Sequence, residues 1–364
     1  MNAGGVDIAP ALARLYGRVP EGARLVKLRG DASTRSYYRV RVPDACVIPV
    51  GTPRALVVMR LPEDALASDE ATAAERPAEL PFVDVQRLLA SRGVRVPRIW
   101  VDDAAHRVLL IEDLGDETFE ARLVASPSRA HALYTQAVDL LADVHRALAP
   151  PFDPARSIAF RRRFDRALLR WELDHFREWG IEALQGPLPA SDRRALDEAF
   201  DALADAVVAL PVGFVHRDYQ SRNLMFASDG SLCVIDFQDA LVGPYCYDLV
   251  ALLCDSYVAL DAALQAAMRR RYADRMELDA AALSELDRAF WLVAAQRKLK
   301  DAGRFVFIDR VRGNPHFLPW FPQSLVYAGR ALAALPDFTA LGALLRRVVP
   351  GFPDAAAVPS PMPR

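Results

Sequence analysis

The chain has 364 residues, enough to bury a sizeable core and to form two domains. Its formal net charge of −2 gives no general attraction to nucleic acid or an anionic membrane surface, and no partner of either kind is expected. No apolar run approaches the roughly 20 residues of a membrane helix, and the opening MNAGGVDIAP lacks the basic start and apolar core of a signal peptide, so a soluble, cytoplasmic protein is expected.

In chain order, Arg24–Leu28, Tyr37–Val42 and Ala55–Leu61 read as strands, with turn signals at Gly30-Asp31 and Pro43-Asp44. Between Leu80 and Leu89, apolar Leu80, Val83, Val85, Leu88 and Leu89 fall near helical spacing, and Gly93 ends the run. Two more apolar stretches, Arg98–Val101 and Val108–Ile111, complete a five-stranded sheet with one helix over residues from about 20 to 113. From Asp116 the pattern is mainly helical, with alanine-rich segments at 128–148, 190–209 and 279–300. The expected organisation is a β-rich domain over 1–113, a helical one over 114–349 and a loosely packed Pro/Ala tail over 350–364. Cys46, Cys233, Cys246 and Cys254 have no CxxC spacing, so neither a zinc site nor a redox motif is indicated.

The most informative stretch spans residues 214–239. His216-Arg217-Asp218 is followed by Asn223, and a strand-like Leu232–Ile235 delivers Asp236. Singly, each aspartate or asparagine is an ordinary turn residue. Together and in this order they form the catalytic and metal-binding core of a protein-kinase-like phosphotransferase. Asp218 is then the general base, and Asn223 and Asp236 are the ligands of Mg²⁺, a hard cation suited to oxygen donors. His216 reads as a hydrogen-bonded core residue. Arg222 is placed to pair with Asp218 and equally to face solvent. Asp239 is a candidate for the metal or the substrate, or a turn residue; Asp248 opens a helix and reads as an anchor for backbone amides of the catalytic loop.

The nucleotide signals are weaker. Between the first two strands, where a phosphate-covering loop belongs, Ser33 and Thr34 offer hydroxyl and backbone donors, but the segment has one glycine and by itself is an ordinary hairpin. The third strand lacks the lysine that a kinase places on the phosphates, since no lysine lies between Lys27 and Lys298. Arg60 is the nearest substitute, with Glu79 as its candidate partner, or else points to solvent. Glu112, Asp113 and Leu114 form the connection whose backbone would meet adenine.

With these residues in view, the chain resembles the aminoglycoside-phosphotransferase-like kinases, and within them the bacterial anomeric kinases of N-acetylmuramate and N-acetylglucosamine. The likeness runs through Gly30–Ser33 with Tyr37–Val40, Pro81–Asp84, Leu109–Gly115, Leu168–Leu173 with Phe176 and Trp179, the His216–Asp248 block, and Gln296–Lys300 with Gly303 and Phe305. It implies an α+β, bilobal protein-kinase-like fold with a small β-rich N-lobe and a larger helical C-lobe, ATP and Mg²⁺ as cofactors, and an amino sugar phosphorylated at C1 in peptidoglycan recycling. A monomer is expected. For the sugar, Trp171 is a candidate stacking platform, Glu172 a candidate hydroxyl partner, and Arg297 or Lys298 a candidate for a lactyl carboxylate. Against these stand helix-packing aromatics and a solvated basic helix face. A phosphotransferase for an aminoglycoside, choline or fructosamine, and a nucleotide-binding pseudokinase, remain as alternatives.

Overall fold

The computed structural model describes residues 2–3, 5–28, 35–61 and 79–353. The chain folds into two compact units, one of residues 1–117 and 225–238, the other of 118–224 and 239–364. The first unit thus runs past the expected boundary after residue 113 and takes in a later segment as well.

In the first unit, two short strands, β1 (Asn2–Ala3) and β2 (Val6–Asp7), lead into α1 (Ala9–Tyr16), which sequence reading passed over. Then come β3 (Arg24–Lys27), β4 (Ser36–Arg41), β5 (Ala55–Arg60), α2 (Pro81–Ser91), β6 (Ile99–Asp103) and β7 (Val108–Glu112). The five-stranded sheet has the order β3-β4-β5-β7-β6, with antiparallel neighbours throughout. Strand alternation sorts its faces. Tyr38, Val40, Leu56, Val58, Val108 and Leu110 pack with Ile8, Ala11, Leu12 and Tyr16 from the α1 side. Pro81 at the first turn starts α2, which buries Phe82, Val83, Val85, Leu88 and Leu89. The late segment joins this unit through bonds that local pattern does not reveal. Val234 N–H donates to Arg95 O (2.9 Å), Phe226 N–H donates to Glu117 O (3.0 Å), and the Phe82 and Phe237 rings lie 4.8 Å apart.

The second unit is helical: α3 (Phe119–Ala125), α4 (Ala130–Ala147), α5 (Arg166–His175), α6 (Ala183–Gln185), α7 (Ala190–Val208), α8 (Tyr247–Leu253), α9 (Ala262–Arg275), α10 (Ala280–Arg312), α11 (Phe321–Ala333) and α12 (Thr339–Val348). Side-chain oxygens of Thr118, Asp165, Asp261 and Asp279 cap the starts of α3, α5, α9 and α10 by accepting an early backbone N–H. One turn of π-helix, Phe176–Glu182, follows α5. At 33 residues, α10 is about 50 Å long and ends at Gly313, whose φ of 64° suits glycine. Its middle is buried all round. Gly303 is where α10 meets the chain after α5: a Cβ there would lie 2.7 Å from the Phe176 Cα.

Of the tail expected to be loosely packed, residues 354–364 lie outside the described residues. Residues before them do pack: Phe352 is buried and donates its N–H to Val349 O (3.0 Å). Among the described residues, no helix is long and apolar enough to cross a membrane.

Candidate active site

The loop read as catalytic leaves the strand Val212–Val215, which pairs antiparallel with Leu241–Pro244. At its start the backbone turns sharply, with Arg217 at a φ of 80°. A left-handed non-glycine residue costs on the order of 1–2 kcal/mol, and three bonds hold it. His216 and Arg217 donate their N–H groups to the two Asp248 oxygens at 2.6 and 2.9 Å, the anchoring role expected of Asp248, and Arg297 Nη1 donates to Arg217 O at 2.7 Å. His216 Nδ1 accepts from Asp218 N–H (3.2 Å), the bonded role read from sequence.

Asp218 leaves 37% of its side chain exposed, and its Oδ1 accepts from Arg297 Nη2 at 3.2 Å. Burial works against its charge, but Arg297, Lys300 and Arg217 outweigh that and hold the carboxyl below its ordinary value. The cation on Asp218 is therefore Arg297. Arg222, for which pairing with Asp218 and facing solvent were both open, binds Glu120 (2.8 and 3.2 Å) with its guanidinium stacked on Tyr257 and Trp320, at 3.8 and 4.4 Å from the ring centroids.

Two residues nominated for the sugar serve the loop. Glu172, fully buried on α5, accepts from Arg217 Nη2 (3.2 Å) and Gln296 Nε2 (2.7 Å). Arg297 is 2% exposed. Nor is the 296–300 cluster a solvated face. Lys298 Nζ reaches Ser256 Oγ (2.5 Å) and Asp301 (2.7 Å), and Lys300 lies 3.3 Å from Asp301, because α10 runs through the core. Trp171 is exposed and stacks on His175 at 5.4 Å, whereas Phe176 is buried and Trp179 meets Phe307 edge-on. Asp239 lies 3.8 Å from Arg162.

Asn223 Nδ2 donates to Asp218 O at 2.9 Å, which leaves its Oδ1, the atom that suits a hard cation, unbonded among the described residues. The far end of the loop is tied by a residue that sequence reading missed. Asp255 accepts from Ser221 N–H (2.8 Å) and Oγ–H (2.5 Å), and burial raises its carboxyl against these bonds. No local signal marks Asp255 or Gln296, since each acts across a long sequence gap, whereas Asp301 went unread although its partners Arg297, Lys298 and Lys300 lie within four residues of it.

In the first unit, Asp236 also has a left-handed backbone (φ 64°) and accepts from Gln238 Nε2 at 2.9 Å. Burial first, then the Asp236 charge, against an opposing Arg35, pushes the Tyr37 hydroxyl up to about 12. Tyr37 sits opposite Met59, while Arg60 sits opposite Ser36 on the other face of β5, that of Tyr38 and Val58. The Arg60 Nε is buried with no hydrogen-bond partner among the described residues. Glu79, its expected partner, is gripped by Arg87 instead (2.7 and 3.0 Å). The connection is likewise committed by its side chains. Glu112 binds Arg95 (2.7 Å) and the Arg98 N–H (3.1 Å); Asp113 binds Arg39 (2.7 Å) and the Gly115 N–H (3.0 Å). Leu114 is half-buried. Ser33 and Thr34 lie outside the described residues.

The model of a phosphotransferase enzyme family matches residues 24–286. The chain is 34% identical to the N-acetylmuramate/N-acetylglucosamine kinase of Pseudomonas aeruginosa, with 93% of each chain covered. It is 28% identical to the protein of that name from Caulobacter vibrioides, over 90% of this chain and 92% of that one. Among solved structures it resembles a choline/ethanolamine kinase family protein from Mesorhizobium loti (TM-score 0.55, 17% identity, 93% and 98% covered) and a microcompartment-associated aminopropanol kinase (TM-score 0.57, 19% identity, 90% and 97% covered). The fold is thus α+β and protein-kinase-like.

Proposed function

Because this chain belongs to the phosphotransferase enzyme family, we propose that it is an amino-sugar kinase that uses ATP and Mg²⁺ to phosphorylate the anomeric C1 hydroxyl of N-acetylmuramate, N-acetylglucosamine or both, in cell-wall recycling. The observation that carries the reading is that four relatives, each similar over about nine-tenths of both chains, bear that kinase name. A cationic acceptor such as choline or an aminoglycoside suits the site less well, because Arg297, Lys300 and Arg217 already surround Asp218 with positive charge.

In this reading Asp218 orients the C1 hydroxyl and takes its proton late in the reaction. The new O1–P bond forms as the bond from the γ-phosphorus to its bridging oxygen breaks, ADP departs, and the proton passes from Asp218 to solvent. The ring oxygen makes the C1 hydroxyl more acidic than the other ring alcohols, so a carboxylate with a lowered pKa suffices when positioning dominates. Asn223, through Oδ1, and Asp236 would hold magnesium, both being oxygen donors. The chemistry supplied by bound Mg²⁺-ATP is the phosphoryl group itself and neutralisation of its charge. With the side chains of Glu112 and Asp113 engaged by arginines, adenine is left to the backbone around Asp113 and Leu114. Ser33 and Thr34 are proposed for the phosphates. Arg60 faces away from Tyr37, which argues against its serving there.

The test is a Mg²⁺-ATP assay on the free amino sugars, simple hexoses, an aminoglycoside and choline, with NMR location of the phosphate. The expected product is an acid-labile glycosyl phosphate that has lost its reducing end. Efficient phosphorylation of a methyl glycoside, or phosphorus coupling at O6, would overturn the anomeric assignment.

A further inference from the structure

Resting on the assignment of Asp218 as the group that receives the acceptor hydroxyl, we infer that Arg297 is a positioning residue of the transfer: it fixes one oxygen of Asp218 and the peptide before it, and leaves the other oxygen for the acceptor. The argument starts from the fork of the guanidinium. One nitrogen, Nη1, donates to Arg217 O at 2.7 Å, and the neighbouring Nη2 donates to Asp218 Oδ1 at 3.2 Å. Two bonds from one rigid plane, to the main chain and to the next side chain, set the carboxylate relative to the loop. The preceding peptide is held from the other side of Arg217, since the Arg217 N–H is on Asp248.

The arginine is itself confined. Its guanidinium lies 4.9 Å over the Tyr247 ring, and its Nε is 3.8 Å from Asp301. At 2% exposure it would have to abandon Asp218 to meet a substrate carboxylate. Asp218 Oδ2, by contrast, accepts no hydrogen bond among the described residues, and the side chain keeps 37% of its surface. Glu172 extends the arrangement: it clamps the Arg217 guanidinium from α5 while Arg297 clamps the Arg217 carbonyl from α10. A lysine at 297 keeps the charge but has a single nitrogen and no fork.

The experiment compares Arg297→Lys, Asp218→Asn and the double variant, measuring kcat, KM for N-acetylmuramate and for N-acetylglucosamine, ATP affinity and thermal unfolding. Loss of positioning should lower kcat of Arg297→Lys on the order of 10²-fold, with both sugar KM values and ATP affinity unchanged. Asp218→Asn should lose on the order of 10²–10⁴, and the double variant should be no slower than Asp218→Asn alone, because Arg297 acts through Asp218. Wild-type kcat with a KM raised for N-acetylmuramate alone would make Arg297 a carboxylate receptor and overturn the inference. Losses that multiply in the double variant would overturn it too. If Arg297→Lys folds poorly, Arg297→Gln takes its place; early melting of both with normal turnover per folded molecule would leave Arg297 a core residue only. Wild-type turnover by Asp218→Asn would sink the assignment of Asp218 instead.

Discussion

Arg39 in the first unit and Arg297 in the second are both buried arginines that hold two carboxylates and a main-chain carbonyl, yet they work in different surroundings. The partners of Arg39 are Asp113, Gly115 O and Asp116, neighbours in sequence, and Asp116 is 78% exposed. The partners of Arg297 are Asp218, Arg217 O and Asp301, and Asp301 is 14% exposed. Water can take the place of Asp116 at the first site but not that of Asp301 at the second. The same chemistry therefore staples a connection in one unit and, in the other, holds Asp218, the proposed base.

The largest effect that follows belongs to Asp301→Asn. Removing a carboxylate shared by Lys298, Lys300 and Arg297 should cost about 3–5 kcal/mol at neutral pH, read from thermal or denaturant unfolding. Burial opposes the Asp301 charge, but those three cations prevail and hold its carboxyl well below the usual range. A depressed pKa stabilises the fold fully above the unfolded value of about 4, and that stabilisation drains away as pH falls further. The gap between wild type and Asp301→Asn should accordingly narrow below about pH 4. A gap that stays constant down to pH 3 would mean Asp301 is not held as a charge.

Next in size is Gly303→Ala. In an open helix interior this change would stabilise by about 1 kcal/mol. Here the added carbon meets the backbone of Phe176 at 2.7 Å, so a loss of about 1–3 kcal/mol is expected. A stabilised variant would show that α10 and the π-helical turn can part freely, and would weaken the picture of a rigid second site. The smallest effect is Asp116→Asn. With its side chain mostly in water, stability should change by no more than about 0.5 kcal/mol. A loss above about 2 kcal/mol would erase the contrast with Arg297.

What was legible in the sequence follows the range of the interactions. The five strands of the first sheet could be read because alternation and turn residues are local, and the order of Asp218, Asn223 and Asp236 survives in 19 consecutive residues. Asp248 could be read as an anchor because it opens a helix in that same block. Glu172 and Arg297 were noticed but assigned to a sugar, since nothing local reveals that α5 and α10 bring them to Arg217 from 45 and 80 residues away. The depth of α10 was hidden for a related reason: a helix buried all round carries no polar stripe to mark its faces, so its arginine and lysines read as surface groups. Arg60 shows a different limit: its type and strand suited a phosphate, but the face it occupies, that of Tyr38 and Val58 and not of Tyr37, depends on a one-residue parity that the sequence does not display.

The return of residues 225–238 to the first unit has a consequence for synthesis. A ribosome that has released residues 1–117 has not yet supplied Phe237 to pack on Phe82, nor the Val234 N–H that occupies Arg95 O. Those groups emerge roughly ten seconds later, at about 5–20 residues per second. Until then the nascent N-terminal segment carries an apolar α2 face and an open carbonyl, the sort of surface that holding chaperones bind. A gene fragment cut at codon 117 should inherit the same defect permanently.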